Sequence, residues 1–241
     1  MKLYVVGIGP GESRQMTPWA QQVLAECDLL VGYKTYIDLI VEQYPEKEVL
    51  STGMTQEKER ARAALQAAAA GNTVAVVCSG DAGVYGMAGL IYELSPEYAP
   101  VAIEVVPGVT AASAGAALLG APLMHDFAVI SLSDLLTPWQ QIEEKLLAAA
   151  ATGFVLCLYN PSSRKRADYL RRACELVLRH RAGSTICGWA KHIGRSGEEY
   201  KVLTLEELKE ESVDMFTTVF IGNSTTQNIG GKMVTARGYR V

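Results

Sequence analysis

Seven short runs of apolar, largely β-branched residues recur along the chain, and each gives way abruptly to glycine, proline, serine or asparagine. They are LYVVGIG from Leu3, TVAVVCSG from Thr73, VAIEVVPG from Val101, FAVISLS from Phe127, FVLCLYN from Phe154, STICGWA from Ser184 and TTVFIGN from Thr217. Runs of this length bounded by turn residues fit buried strands, and helical periodicity fills most of the intervals. Strands alternating with helices predict an α/β protein, with two α/β domains built on largely parallel or mixed sheets.

Helix ends are legible too. In TQEKERARAALQAAAA, Thr55 is the expected N-cap, Glu57 suits the positive helix start and Gly71-Asn72 supply the stop. TPWAQQVLAE from Thr17 and TPWQQIEEKL from Thr137 both read as Thr N-cap with Pro at the first helical position, and the second adds Gln140 at the capping-box position. Convergent capping and a duplicated domain both account for the pair. The pattern TAASAGAALL ends at Gly120 and Pro122 prevents its continuation, so the expected domains are residues 1–120 and 121–241.

Composition narrows the field. At 241 residues and 49% hydrophobic content the chain can bury one large core or two smaller ones. A net charge of −4 lacks the phosphate-neutralising excess of a general nucleic-acid binder, so no nucleic-acid partner is expected. The five cysteines, at 27, 78, 157, 174 and 187, form no Cys-x-x-Cys pair and lie mostly in apolar runs, as in a reducing compartment without a metal site. No uninterrupted apolar run approaches the roughly 20 residues of a membrane span. KLYVVGIGPGE is also too quickly broken by glycine for a signal peptide. A soluble, cytoplasmic protein is the expectation.

In open α/β sheets, ligands sit outside the carboxyl ends of strands. The segments there are GIGPG (7–11), SGDAGVYG (79–86), PGVTAAS (107–113), SLSDLLTPW (131–139) and YNPSSRKR (159–166). GIGPG departs from G-x-G-x-x-G, Pro10 removes an amide that should face a pyrophosphate, and positions 79–90 hold no basic residue. These features argue against a nicotinamide site and a phosphate loop. Asp81 has two readings: it shapes its own turn, or it meets a ligand that the flanking glycines admit, with Val84 and Tyr85 as an apolar wall. A ligand with a sugar or purine and no phosphate fits best.

The motifs GIGPG, SGDAGVYG, VVPGVTAASA with GAPL, and YNP occur in the order and spacing of the tetrapyrrole methyltransferases that use S-adenosylmethionine, and the chain resembles that family over nearly its whole length. The resemblance implies S-adenosylmethionine as cofactor, S-adenosylhomocysteine as product, a tetrapyrrole substrate, a cofactor cleft between two α/β domains and a homodimer. Carried over residue by residue, the cofactor contacts fall on Pro10, Ser79, Gly80, Asp81, Val84, Tyr85, Thr110 and Ala111. Further contacts fall on Tyr159, Asn160, Ile186 and Thr217, with Asn160 replacing the family's methionine. Within the family, GYKTY (32–36), SGDAGVYGMAGL, GAPLMHDF, ISLSDLLTPW, LYNPSSRKR, VDM (213–215) and RGY resemble the members that methylate carbon 17 of precorrin-3B or cobalt-factor III in cobalamin biosynthesis, with accompanying ring contraction. Relatives acting on uroporphyrinogen III carry arginines where this chain has Met87 and Asp126, which favours a later corrinoid intermediate.

A sulfonium methyl is already activated, so alignment and water exclusion are the main demands on the protein. Accordingly there is no Gly-x-Ser-x-Gly elbow. Ring contraction calls for an acid or base, and His125 and Asp126 are the candidates, with a hinge pair that caps the next strand as the plainer reading. Ser131, Ser133 and Asp134 are expected at the polar rim of the macrocycle, unless Asp134 only shapes the turn before a helix capped by Thr137. Lys34 and Arg164, with Lys165, Arg166, Lys191 and Arg195, are candidate partners for substrate carboxylates. For Arg164, Lys165, Arg166, Arg171 and Arg172 the alternative is a solvated helix face. The rival among enzymes is another precorrin methyltransferase of the same fold, and the rival from another class is a non-catalytic corrinoid-binding protein.

Overall fold

The computed structural model describes residues 1–163 and 165–239. The chain divides into two compact units, Met1–Ala111 and Ala112–Val241.

The first unit carries strands β1 (Lys2–Gly7), β2 (Leu29–Tyr33), β3 (Glu48–Thr52), β4 (Thr73–Cys78) and β5 (Ala102–Val106), with helices α1 (Pro18–Glu26), α2 (Lys34–Ile37), α3 (Glu57–Ala69) and α4 (Ala88–Leu94). The strands form one parallel sheet in the order β3-β2-β4-β1-β5. Its two faces explain the uninterrupted apolar runs, because a parallel sheet is covered on both sides. Leu3 and Val5 pack with Ala61, Leu65 and Ile91 of α3 and α4. Val6 faces the other way, with Ala20, Val23 and Leu24 of α1 and Ile37 of α2.

The second unit holds α5 (Ala111–Leu119), whose first residue closes the first unit, then β6 (Gly120–Ala121), β7 (Phe127–Ser131), α6 (Trp139–Ala151), β8 (Val155–Tyr159) and α7 (Tyr169–Val177). After these come β9 (Ile186–Lys191), β10 (Glu199–Thr204), α8 (Leu205–Leu208), β11 (Thr217–Ile221), β12 (Thr226–Ile229) and β13 (Lys232–Thr235). A mixed sheet runs β10-β9-β11-β8-β7, with only β7 and β8 paired in parallel, and β12, β13 and β6 form a small second sheet. The division at 111/112 falls ahead of the expected 120/121. The buried face of α5, through Ala112, Ala116 and Leu119, packs with Cys157, Phe220 and Met233 and so belongs to the second core.

Three helix starts separate expectation from outcome. Thr17 caps α1 as expected, its Oγ1 accepting from the N–H of Ala20 at 3.1 Å. Thr55 does not cap α3: it is left-handed (φ 64°), the helix starts at Glu57, and the Oε1 of Gln56 accepts from the N–H of Gly53 at 2.7 Å. Thr137 does not cap α6 either, because Pro138 occupies the N-cap position and leaves Thr137 one residue too early to reach the first amides. The Trp139 indole N–H instead donates to Glu143 one turn on. No helix among the described residues is long and apolar enough to cross a membrane.

Candidate functional site

In the first unit, the chain leaves β1 for β2 on one side and β4 for β5 on the other, the arrangement that opens a ligand position outside the strand ends. Three loops meet there, backbone against backbone. Gly9 and Gly80 exchange both of their N–H···O bonds, at 3.0 and 2.8 Å. A Cβ on Gly7 would stand 2.7 Å from Gly108 N and from Gly80 O, and one on Gly108 would stand 2.2 Å from Gly80 O. Glycine at these positions lets the loops stack into one shelf.

Asp81 ties the shelf together. Its Oδ1 accepts from the N–H groups of Gly83 and Val84 at 2.8 and 3.0 Å, and its Oδ2 from that of Gly108 at 2.9 Å. The turn-shaping reading is therefore realised, and the carboxylate also joins segment 79–86 to segment 107–111. Val84, Tyr85 and Val109 stand exposed beside it, and Tyr85 holds φ 54°, a left-handed conformation that is uncommon outside glycine and clusters at functional sites. Pro10 and Gly80 are buried; Ser79, Thr110 and Ala111 are half-buried. Behind the loop, burial pushes the Cys78 thiol up to about 11, which removes it as a nucleophile.

Beneath these loops lies a residue missing from the expected set, Arg60, only 4% exposed. Its Nε donates to Thr52 Oγ1 at 2.8 Å, Nη2 donates to the Gly53 carbonyl at 2.9 Å, and Nη1 lies 3.9 Å from Met87 Sδ. It thus braces the ends of β3 and the glycine loop. The available signal is its place on the stripe of Ala64 and Ala68, the buried face of α3.

In the second unit, strand pairing gathers Ser131, Tyr159, Asn160, Lys191 and Thr217 at one end of the large sheet, since Ser131 pairs with Tyr159 and Thr217 with Lys191. Ser131 Oγ accepts from the Ser133 N–H at 3.2 Å and from Asn160 Nδ2 at 3.0 Å. Asn160 is left-handed, φ 51°. The Tyr159 hydroxyl accepts from the Ala112 N–H at 2.8 Å. Asp134 accepts from the Tyr169 hydroxyl at 2.5 Å, a bond that raises the phenol's pKa, and lies 3.9 Å from Arg166.

Lys191 pairs with Asp214 at 2.9 Å, and Asp214 also accepts from the Phe216 N–H at 2.9 Å and the Thr217 hydroxyl at 3.1 Å. Burial pushes the Asp214 carboxyl up, but Lys191 and these donors outweigh it and hold the group below the usual carboxylate range. His192 follows with φ 50°, its ring 5.4 Å from that of Phe216. Nothing in the spacing of the sequence singled it out.

Other candidates lie elsewhere. The carbonyl of Asp126 accepts from the N–H of Val155 at the start of β8, and the carbonyl of Ile186 accepts from Gly222 at 3.0 Å. His125, Asp126 and Ile186 are thus at the opposite end of the sheet from Ser131 and Asn160. β7 alone has 5 residues, roughly 17 Å at about 3.3 Å per residue. His125 and Asp126 line a cavity of about 240 Å³ with Thr152, Phe154 and Asn223. In the first unit, exposed Lys34 binds both oxygens of Asp38 at 3.1 Å. Arg171 pairs with Glu210 and Arg172 covers the Trp139 ring at 4.1 Å, so those two belong to a helix face already partnered. Arg164 lies outside the described residues.

The model of the tetrapyrrole (corrin/porphyrin) methylases matches residues 2–209. The chain is 48% identical, over 98% of its own length and 99% of the other's, to the "probable cobalt-factor III C(17)-methyltransferase" of Salmonella typhimurium. It is 44% identical, over 99% of its length, to the "cobalt-factor III methyltransferase" of Priestia megaterium, of which it spans only 45%. Among solved structures, the methyltransferase CobJ superposes with a TM-score of 0.90 at 35% identity, covering 98% of this chain and 99% of that one. The uroporphyrin-III C-methyl transferase of Thermus thermophilus, complexed with S-adenyl homocysteine, shares the fold with a TM-score of 0.73 at 23% identity, covering 92% and 97%. With this match across most of its length, the chain belongs to the tetrapyrrole methylase family.

Proposed function

We propose that the protein transfers a methyl group from S-adenosylmethionine to carbon 17 of cobalt-factor III or precorrin-3B, with ring contraction, in cobalamin biosynthesis. The observation that carries this reading is the near-full-length identity of 48% with the Salmonella relative. The first unit fits the cofactor's chemistry. Its glycines let three strand-end loops pack backbone against backbone, a carboxylate lies at their junction, and residues 79–90 include no basic group, which suits a cationic, phosphate-free molecule.

When bound, S-adenosylmethionine supplies an activated methyl. The protein's part is then to hold geometry and exclude water. Gly80 and the Asp81 turn present the backbone surface, Val84 and Tyr85 form the apolar rim, and Ser79, Thr110 and Ala111 complete the set proposed for the cofactor. In the second unit, Tyr159, Asn160 and Thr217 stand proposed for the cofactor too, and Ser131, Ser133 and Asp134 for the polar rim of the macrocycle; Ile186, at the opposite end of the sheet, does not join them. His125 and Asp126 are proposed for the proton transfer of ring contraction. His192 is the alternative to that pair, because it lies at the Ser131–Asn160 end of the sheet and His125 and Asp126 lie at the other.

Incubation with S-adenosylmethionine and each macrocycle tests the proposal: one added methyl by mass, release of S-adenosylhomocysteine and a contracted-ring spectrum are expected. Binding of the macrocycle without release of S-adenosylhomocysteine would establish the carrier reading instead. Separate assays of methylation and contraction in His125→Ala, Asp126→Ala and His192→Ala assign the acid or base. The family resemblance supports a homodimer, which sedimentation equilibrium tests. The net charge of −4 supports the proposed absence of a nucleic-acid partner.

A further inference from the structure

Resting on the methyltransferase reading, we propose that the Ser131 hydroxyl is a directed hydrogen-bond donor to a carboxylate or carbonyl oxygen of a bound ligand, and that Asn160 is the positioning residue that sets this polarity. A serine hydroxyl has one proton and two lone pairs. Both lone pairs of Ser131 are taken, one by the N–H of Ser133 at 3.2 Å and one by the amide of Asn160 at 3.0 Å. The proton has no acceptor among the described residues. A half-buried hydroxyl in that state can only donate outward, so the position selects an acceptor and rejects a donor.

The backbone supports the same assignment. Asn160 holds φ 51°, where glycine would be unstrained, and a left-handed asparagine directly after β8 turns its side chain onto the last residue of β7. The residue at this position is the one whose amide reaches Ser131. Carboxylates of this kind have two sources in the proposed reaction, the side chains of the macrocycle and the amino-acid end of the cofactor.

The test uses Ser131→Ala, Asn160→Asp, Asn160→Gly and the Ser131→Ala/Asn160→Asp double variant. Titration with S-adenosylhomocysteine and steady-state kinetics in cobalt-factor III and precorrin-3B supply the readouts. Asn160→Asp keeps the shape but offers only acceptors, so the Ser131 proton turns back onto it. Ser131→Ala should weaken one ligand about tenfold or more, the range for a hydrogen bond to a charged group. Asn160→Asp should lose as much, and the double variant no more than either single variant. Asn160→Gly, suited to the left-handed backbone, should lose less, because the hydroxyl is then free to rotate but still able to donate.

A rise in KM for the macrocycle with S-adenosylhomocysteine affinity unchanged identifies a macrocycle carboxylate, and the converse identifies the cofactor's. Wild-type binding of both ligands by Asn160→Asp overturns the inference. So does an Asn160→Asp loss that adds in full to that of Ser131→Ala, since that would be charge repulsion alone. If the wild-type protein methylates neither macrocycle, the functional reading falls, while the S-adenosylhomocysteine titrations still decide whether the hydroxyl serves the cofactor.

Discussion

The backbone N–H of Gly108 donates to Oδ2 of Asp81 at 2.9 Å, closing a link between two strand-end loops 27 residues apart in sequence. Replacing Asp81 by Asn keeps an oxygen for Gly83 and Val84 but turns an amide donor toward Gly108. An unpaired amide of this kind costs roughly 1–3 kcal/mol. Asp81→Asn should therefore bind S-adenosylhomocysteine about tenfold or more weakly in isothermal titration calorimetry. Unchanged affinity would show that the shelf holds without the link.

Two glycines of the same region should behave oppositely. A Cβ at Gly108 would stand 2.2 Å from the Gly80 carbonyl oxygen and 2.6 Å from that of Gly7, whereas Gly89, inside α4, has nothing within 4 Å. Gly108→Ala should destabilise the protein by about 3 kcal/mol or more. Gly89→Ala should stabilise it by about 0.5–1 kcal/mol, through helix propensity. Denaturant melts of both variants read the contrast, and equal midpoints would contradict the shelf packing.

The Lys191–Asp214 pair carries a pH signature. Asp214 titrates below its ordinary value when folded, so its contribution is present above the usual carboxylate range and is lost as pH falls through the lowered value. Hydrogen bonding to Asp214 raises Lys191, so its contribution is present below the usual lysine range and is lost as pH rises through the raised value. The stability difference between wild type and Lys191→Met should be flat across neutral pH and shrink at both extremes. A difference that peaked in acid would rule out the pairing.

Burial raises all five thiols. Cys27 and Cys78 are pushed up to about 11, Cys174 to about 12, and Cys157 and Cys187 further still. Native protein at pH 8 should leave a thiol reagent unconsumed, and five equivalents should react after denaturation. Fast reaction of even one thiol in the native state would contradict this packing.

Of the seven strands apparent in the chain, β1, β4, β8, β9 and β11 are buried along half or more of their length, where apolar character cannot alternate, and the edge strands β5 and β7 are mostly half-buried. β3 and β10 stand at sheet edges and expose half or more of their residues, so EVLST and EYKVLT carry no such signature. β2 is buried, but its run is short and interrupted by Gly32. In the site, the turn made by Asp81 with Gly83 and Val84 is local and was readable. The bond to Gly108 depends on β1 and its neighbours meeting in space. Arg60 was hidden because its three partners come from β3, the following turn and the loop before α4. The family resemblance indicated which loops matter but not that Ile186 and Asn160 lie at opposite ends of one sheet.

The close approach of Gly7, Gly80 and Gly108 divides the region into a part that evolution cannot easily revise and a part that it can. Gly7 and Gly108 cannot gain a side chain without displacing a neighbouring loop, and Gly80 is held to glycine by its φ of 70°, so the shelf changes as a unit or not at all. Val84, Tyr85 and Val109 have exposed side chains and no such constraint. In the proposed cofactor site, variation in what is accepted, including sulfonium analogues carrying a group larger than methyl, therefore has a short route through these three positions. Tyr85 in particular can be shortened to asparagine or glycine, which tolerate its φ of 54°.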